Sequence, residues 1–454
     1  DDRLFEPRSV QLNAAAASYK LRSTVTGHGQ NGEFVARQHY LNVNGGSQEF
    51  QYDVWKYCGK NPIYPQGGTW VFDRAGWCPG MATDLHEFKM NAAPGSTVTL
   101  DYGLNGAVLG EANYLVSNQL VSYGAYAHPL DASIEAVMRP NDRQVEFARI
   151  NPACSTPLLR VRNNGSTAIT SLQFSYMVIG GTPETFTWTG NLSPETEAEI
   201  TLPVLSPAFW ETTQLPRTFQ VQIVQVNDQP DGESANNLAR MSFSPVTAYT
   251  FPNPLRLRTK TNNTPADYSY TIKDAAGNVV LDRNQMTANT SYTDLIDLPA
   301  GCYTLNFEDT GNDGLSFWFF PENGAGSLNI ARLVGGNSLL TVKSFNPDFG
   351  GGVQYDFVIG ETVGTENPES ATRISLYPNP AKEVLNLDLQ GFAAMPLEIS
   401  LRDVTGRVLR SFKTIANGGE RFSESMDLQG LPAGLYFVRV TNGQSVWSSE
   451  VVKE

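Results

Sequence analysis

"LLRVRNNGSTAITSLQFSYMVIGG", residues 158–181, alternates apolar and polar side chains on both sides of Asn164-Gly165. Successive side chains of a strand point to opposite faces, so a period of two marks a strand buried on one side. Asn and Gly adopt positive φ at little cost, and the stretch therefore predicts a tight hairpin closed by Asn164 and Gly165. The same alternation recurs outward in "YKLRSTVTG" (19–27), "STVTLDYGL" (96–104), "NYLVSNQLVSYGAY" (113–126), "FTWTGNLSPETEAEITLP" (186–203) and "RTFQVQIVQVND" (217–228). No long stretch repeats apolar residues at i, i+3, i+4 and i+7. With 40 Gly, 27 Pro, 11% aromatic and only 17% charged residues, the chain reads as all-β, a tandem of β-sandwich modules.

A chain of 454 residues exceeds a single hydrophobic core. "RPND" (139–142) marks a joint after a first module, 1–138. An immunoglobulin-like sandwich is expected over 139–248 and a related β-sandwich over 249–360. Residues 361–372 carry too little apolar surface to pack and read as a linker, and a compact last module spans 373–454. The third and fourth modules share a pattern: "YTIKDAAGNVVLDR" then "IDLPAGCYTLNF", against "ISLRDVTGRVLRSF" then "LQGLPAGLYFVRV". In each, Asp-x-x-Gly (Asp274 and Gly277; Asp403 and Gly406) is placed to close a hairpin, and Pro-Ala-Gly to start a strand.

The net charge of −14 argues against a nucleic-acid partner, which requires clustered Lys and Arg. No apolar run approaches the ~20 residues of a transmembrane helix. The N-terminus, "DDRLFEPRSV", lacks the basic and apolar regions of a signal peptide, so the chain is expected to be mature or cut from something longer.

"ISLYPNPAKEVLNLDL", the turn from Asp403 to Arg407 including Gly406, and "GLYFVRVTNGQSVWSSEVVKE" resemble the type A sorting domain of the type IX secretion system of gram-negative bacteria. The resemblance covers 373–454 and rests on Tyr377-Pro378-Asn379-Pro380, Asp403, Gly406, Arg407, Gly434, Tyr436 and Lys453. It implies export across the outer membrane to the cell surface or beyond, with the secretion machinery as partner. In the family the module is usually removed by a sortase.

Near the other end, Cys58 and Cys78 bracket a loop of Gly, Pro, Asn and aromatics. A disulfide there would stabilise by roughly 3 kcal/mol in the chain-entropy model and would imply an oxidising compartment. Trp70 and Trp77 offer flat apolar faces to a glycan, and Arg74 a planar fork for sugar or carboxylate oxygens. "GHGQNGEF", "W" and "C" at Trp55 and Cys58, and "TWVFDRAGWCPG" (69–80) resemble the C-terminal jelly roll of the peptide:N-glycosidase F family, over about residues 8–137. By that resemblance the first module is a jelly roll. Glu33 falls on an acid at the interface between the family's two jelly rolls, Arg74 on its catalytic arginine, and Cys58 and Cys78 on a disulfide. Two departures stand out: Asn31 and Val35 occupy the positions of a short cysteine pair, and the primary catalytic aspartate belongs to an N-terminal jelly roll that would precede residue 1.

"FEDTGNDGLSFW" (307–318) places Glu308, Asp309, Asn312 and Asp313 around two glycines; Asp309, Asn312 and Asp313 are candidate calcium ligands, against an Asx-stabilised turn. No other cofactor is expected. Cys154 and Cys302 either bridge the second and third modules or are separate buried thiols. The expected function is non-catalytic, adhesion to glycans or a structural surface layer or filament built by strand-to-strand self-assembly. The alternatives are an N-glycan amidase in which Glu33 and Arg74 act beside an upstream catalytic jelly roll, with Arg74→Ala abolishing turnover while leaving folding intact, and a cargo held by the secretion machinery.

Overall fold

The Asn164-Gly165 turn is not a hairpin. In the computed structural model the strands Leu158–Asn163 and Ile169–Val178 lie in different sheets, and neither Asn164 nor Gly165 takes a positive φ. The turn arches from one sheet to the other. Asn163 holds it by donating to the carbonyls of Thr167 and Leu192 while accepting from the Gly165 amide. Gly165 is needed for room, because a Cβ there would lie 2.5 Å from the Pro129 carbonyl oxygen. Period two in the flanking strands says only that each has a buried face, which an arch between sheets satisfies as well as a hairpin within one.

The structure describes residues 5–64, 66–106, 110–151, 153–206, 208–212, 215–251, 254–334, 338–360, 373–390, 395–416, 422–442 and 446–454. The linker expected at 361–372 lies outside them. Tertiary contacts divide the chain into two compact units, Asp1–Thr362 and Val363–Glu454. The chain is all-β; among the described residues its strands pair antiparallel except where Thr247–Tyr249 runs parallel to Gly352–Ile359.

The first unit opens with a sandwich of a four-stranded and a three-stranded sheet. One runs, in spatial order, Arg8–Gln11, Thr97–Leu104, Arg37–Val43, Phe50–Val54; the other His86–Met90, Ser18–His28, Asn113–Tyr123. Tyr19, Leu21, Val25, Leu41, Val54 and Val98 fill the space between them. The strand Ala132–Arg139 does not belong here. It pairs with Leu158–Asn163 and puts Ala132 and Val137 into the next core, so the first sandwich ends before 132 rather than at the "RPND" joint. The second sandwich faces Glu197–Thr201, Leu158–Asn163 and Ala132–Arg139 against Glu184–Leu192, Ile169–Val178, Thr218–Val226 and Leu238–Ser242. The third joins a five-stranded to a four-stranded sheet around Leu257, Tyr270, Ile272, Leu305, Ile330 and Phe357.

These three sandwiches are tied together. A disulfide joins Cys154 to Cys302, and the Arg149 guanidinium donates to Ile63 of the first sandwich and to Phe349 and Gly352 of the third. Charge-assisted bonds to these three carbonyls offset part of its burial cost; Nη2 is buried without a partner among the described residues, and burial lowers the guanidinium's pKa.

The second unit is a small sandwich. Arg373–Tyr377, Val384–Gln390 and Phe422–Asp427 face Val408–Ile415, Pro396–Arg402, Gly434–Thr441 and Val446–Lys453. Its Asp403–Gly406 turn and the Asp274–Gly277 turn of the third sandwich both close hairpins, with the Gly amide donating to the Asp carbonyl and Gly at φ 85° and 86°. The likeness extends further. Tyr303 and Tyr436 each donate a hydroxyl to the proline carbonyl four residues upstream, at 2.9 and 2.7 Å, pinning Leu-Pro-Ala-Gly to the start of the strand.

Candidate functional site

Glu33 closes a one-turn helix, Gln30–Glu33, that follows Gly29 at φ 73°. Its amide donates to the Gly29 carbonyl at 2.7 Å, and its carbonyl accepts from the Ala75 amide at 2.8 Å. The turn is thereby zipped to the segment that carries Arg74. That segment is held in its turn by reciprocal amide–carbonyl bonds between Lys56 and Arg74 and by the Cys58–Cys78 disulfide. Two elements distant in sequence thus bring Arg74 Nε to 2.7 Å from Glu33 Oε1.

Arg74 is buried, with 5% of its side chain exposed against 19% for Glu33. Besides Glu33, it donates to the carbonyls of Trp70, Phe72 and Thr69 at 3.3, 2.6 and 2.9 Å. Four of the five N–H groups of a guanidinium are therefore spent on protein acceptors. Phe34 and Trp77 lie against its plane, with ring centroids 5.3 and 5.2 Å from the guanidinium carbon. The residue shapes the stapled loop from within. Asp73 beside it accepts the Cys58 amide at 3.0 Å; burial raises its carboxyl above the usual range, while that amide and the Arg74 charge pull it back.

The sugar platforms expected from the sequence are placed differently. Trp70 is 3% exposed. It lies under the third sandwich, where its indole N–H donates to Asp348 at 3.2 Å and a Cβ on Gly350 would meet its ring at 2.3 Å. Trp70 is thus a packing residue, because the loop it sits on is clamped between two sandwiches. Trp77 keeps part of its surface, with its N–H on the Gly27 carbonyl and its ring stacked at 6.0 Å on His28. Arg74 as a sugar ligand is limited by the acceptors it already serves.

The sequence reading passed over another set of aromatics. "SFWFF" (316–320) lies on a loop of the third sandwich that meets the stapled loop. Phe317 is buried with Trp70 and Val71, but Trp318 and Phe319 are 62% and 46% exposed. Phe72 makes edge contacts with both Phe319 and Phe34, at 5.5 and 6.4 Å. The signal was available, since four aromatics in a row exceed what one face of a strand can bury.

The calcium candidates form a turn closed by its own amides. Asp309 is buried, and its two carboxyl oxygens accept from the amides of Gly311 and Gly314 at 2.8 and 2.6 Å; burial pushes its pKa up to about 7. Asp313 accepts from Asn323, and Asn312, at φ 63°, sits against Gly59. Among the described residues no three acidic, histidine or cysteine groups converge to hold a metal ion.

The residues singled out near the C-terminus are structural within their own unit. Asn379 accepts from the Val452 amide and donates to the Glu450 carbonyl, stitching Tyr377-Pro378-Asn379-Pro380 to the last strand. Lys453, on that strand, donates through its ammonium to the Glu454 carbonyl. Asp403 accepts from the amides of Thr405 and Arg407 and from the Arg407 side chain.

Fold and site describe a class: an all-β, disulfide-linked chain of sandwiches with a separate small sandwich at its C-terminal end. Comparison with known families makes both ends specific. Residues 375–454 match the secretion system C-terminal sorting domain, and residues 2–121 match the C-terminal domain of peptide-N-glycosidase F. The chain is 30% identical over 132 residues to peptide-N(4)-(N-acetyl-β-D-glucosaminyl)asparagine amidase F of Elizabethkingia miricola, an alignment covering 25% of this chain and 37% of the relative. It thus spans little more than a third of that protein. A crystal structure of such an amidase is 29% identical, covering 26% of this chain and 43% of the other at a TM-score of 0.25. Dimeric latent PorU of Porphyromonas gingivalis is 11% identical, covering 74% and 35% at a TM-score of 0.17. The sorting domain identifies an exported protein of the cell surface or extracellular space that engages the type IX secretion machinery. No described helix is long and apolar enough to cross a membrane.

Proposed function

We propose that the first sandwich presents a glycan-binding, non-catalytic cleft on an exported adhesive protein. The observation that carries this reading is the use of Arg74: its donors are committed to Glu33 and to three loop carbonyls, leaving little with which to stabilise charge developing on a reacting amide. What the site offers instead is a partly exposed Glu33 carboxylate bonded to a guanidinium flanked by the Phe34 and Trp77 rings, groups suited to sugar hydroxyls and C–H faces. Binding and cleavage of an N-linked glycopeptide, measured on the same purified chain, test it. Binding without release of the glycan is expected; release would establish the amidase reading.

A second reading, self-assembly, is favoured by one feature. Among the described residues the edge strand Asn113–Tyr123 pairs only with Ser18–His28, and its sequence NYLVSNQLVSY holds none of the charges or prolines that protect edges. Sedimentation of the purified chain should then show association that Ser117→Lys abolishes; a concentration-independent monomer would exclude it.

A further inference from the structure

We infer that the exposed rings of Trp318 and Phe319, on the third sandwich, are the sugar platform of this cleft; the inference rests on the glycan-binding reading above. The ring order supports a continuous ledge. Trp318 and Phe319 meet edge to face at 5.4 Å, Phe319 meets Phe72 at 5.5 Å, Phe72 meets Phe34 at 6.4 Å, and Phe34 lies 5.3 Å from the Arg74 guanidinium carbon. Each step is close to the length of one pyranose ring. The series runs from the exposed Trp318 to the buried Arg74, whose Nε lies 2.7 Å from Glu33 Oε1.

An exposed tryptophan on a loop ordinarily samples several rotamers, and ordering it costs affinity. Here the indole N–H donates to the Gly68 carbonyl across the junction of the two sandwiches, at 3.0 Å. The ring is therefore held in place before any ligand arrives. That bond also consumes its one donor, so what remains for a partner is the π face. A ligand that fits must supply an apolar C–H face to Trp318 and hydroxyl donors to Glu33, and a neutral saccharide has both. A polyanionic ligand is disfavoured by the net charge of −14 and by the carboxylate at the end of the ledge.

The assignment also accounts for the burial of Trp70. The third sandwich covers Trp70 of the stapled loop and presents Trp318 at the same junction. The cleft is thus built by two modules, and the first sandwich alone would lack its outer half.

The test uses the full chain and a fluorescent glycopeptide with an N-acetylglucosaminyl-asparagine linkage, with the unglycosylated peptide as control. Trp318→Ala should weaken glycopeptide binding by about tenfold or more, Phe319→Ala by less, and Trp318→Phe should retain most of it. In the wild-type chain, bound glycopeptide should shield tryptophan emission from acrylamide. Thermal unfolding of each variant separates lost binding from lost fold, and if Trp318→Ala unfolds, Trp318→Phe and the shielding experiment decide. Unchanged binding in Trp318→Ala together with weakened binding in Glu33→Gln would overturn the ledge and leave the cleft reading standing. Absence of glycopeptide binding by the wild-type chain would overturn both, as would self-association that Trp318→Ala abolishes in its place.

Discussion

Replacing Arg74 by Ala should unfold the stapled loop, not merely silence it. The change removes a donor from three carbonyls, of which only that of Thr69 keeps another, the Phe72 amide at 3.3 Å, among the bonds described, and it leaves Glu33 without its counter-ion. A carbonyl stranded by loss of a charged donor costs about 1–3 kcal/mol, and breaking a buried ion pair about 3–5 kcal/mol in all. Because these terms share one side chain they are not additive, and about 4 kcal/mol is the expected loss. With an m-value of about 4 kcal/mol/M in guanidinium, the midpoint of the first sandwich should fall by about 1 M. Emission from the tryptophans around the loop reports it. Arg74→Lys should recover part of the loss, since an ammonium keeps the charge but cannot serve four acceptors at once. A double-mutant cycle with Glu33→Gln should show a coupling of about 1–3 kcal/mol. A midpoint shift under about 0.2 M for Arg74→Ala would refute the reasoning and restore the sequence-based expectation that this substitution leaves folding intact.

Opening the Cys154–Cys302 bridge, which spans a sequence separation of 148, should remove up to about 5 kcal/mol of chain-entropy stabilisation; calorimetry of Cys154→Ser/Cys302→Ser should show the second and third sandwiches unfolding as separate transitions. His39 is buried between the sheets of the first sandwich, and burial, followed by the charges of His86 and Arg37, lowers its pKa to about 4 from 6.5. It is neutral in the fold, so its contribution is complete above pH 6.5 and is lost as pH falls toward 4, roughly 3 kcal/mol that His39→Phe should abolish from the pH profile. Asp309 runs the other way. Its pKa is raised from 3.8 to about 7, so the stability it confers is full below pH 3.8 and declines as pH rises through 7, and Asp309→Asn should flatten that slope in thermal melts. Deleting residues 373–454 should leave the unfolding transition of the first unit unchanged and strand the protein in the periplasm, read by fractionation of the expressing cells.

Much of the molecule was legible in one dimension. Period-two alternation, scarce charge and abundant Gly and Pro specify sandwiches, because a strand with one buried face admits few other arrangements. The two Asp-x-x-Gly turns close hairpins as read, since a turn needs only its own four residues and a glycine at positive φ. The sorting signal was legible through the resemblance of its short motifs to a known family; of these residues Asp403 and Tyr436 satisfy backbone groups within four positions, while Asn379 reaches Val452, 73 positions on. The Cys58–Cys78 pair lay within a single motif and needed no distant information.

What tertiary structure alone decided is which surfaces meet. The Asn164-Gly165 turn has the composition of a hairpin and the geometry of an arch, told apart by the separate sheets its strands join and by the Pro129 carbonyl packed against Gly165. The strand Ala132–Arg139 changes modules because its partner, Leu158–Asn163, lies beyond the joint. Trp70 and Trp318 read alike as tryptophans in glycine-rich loops. One is covered by Gly350 and bonded to Asp348, the other open to solvent and anchored on Gly68. Local sequence determines whether a side chain is apolar and on which face of its strand it stands, because those depend on chemistry and backbone period. Whether that face ends beneath a neighbour or in water depends here on contacts 278 and 250 positions away, and those exist only once the sandwiches have docked.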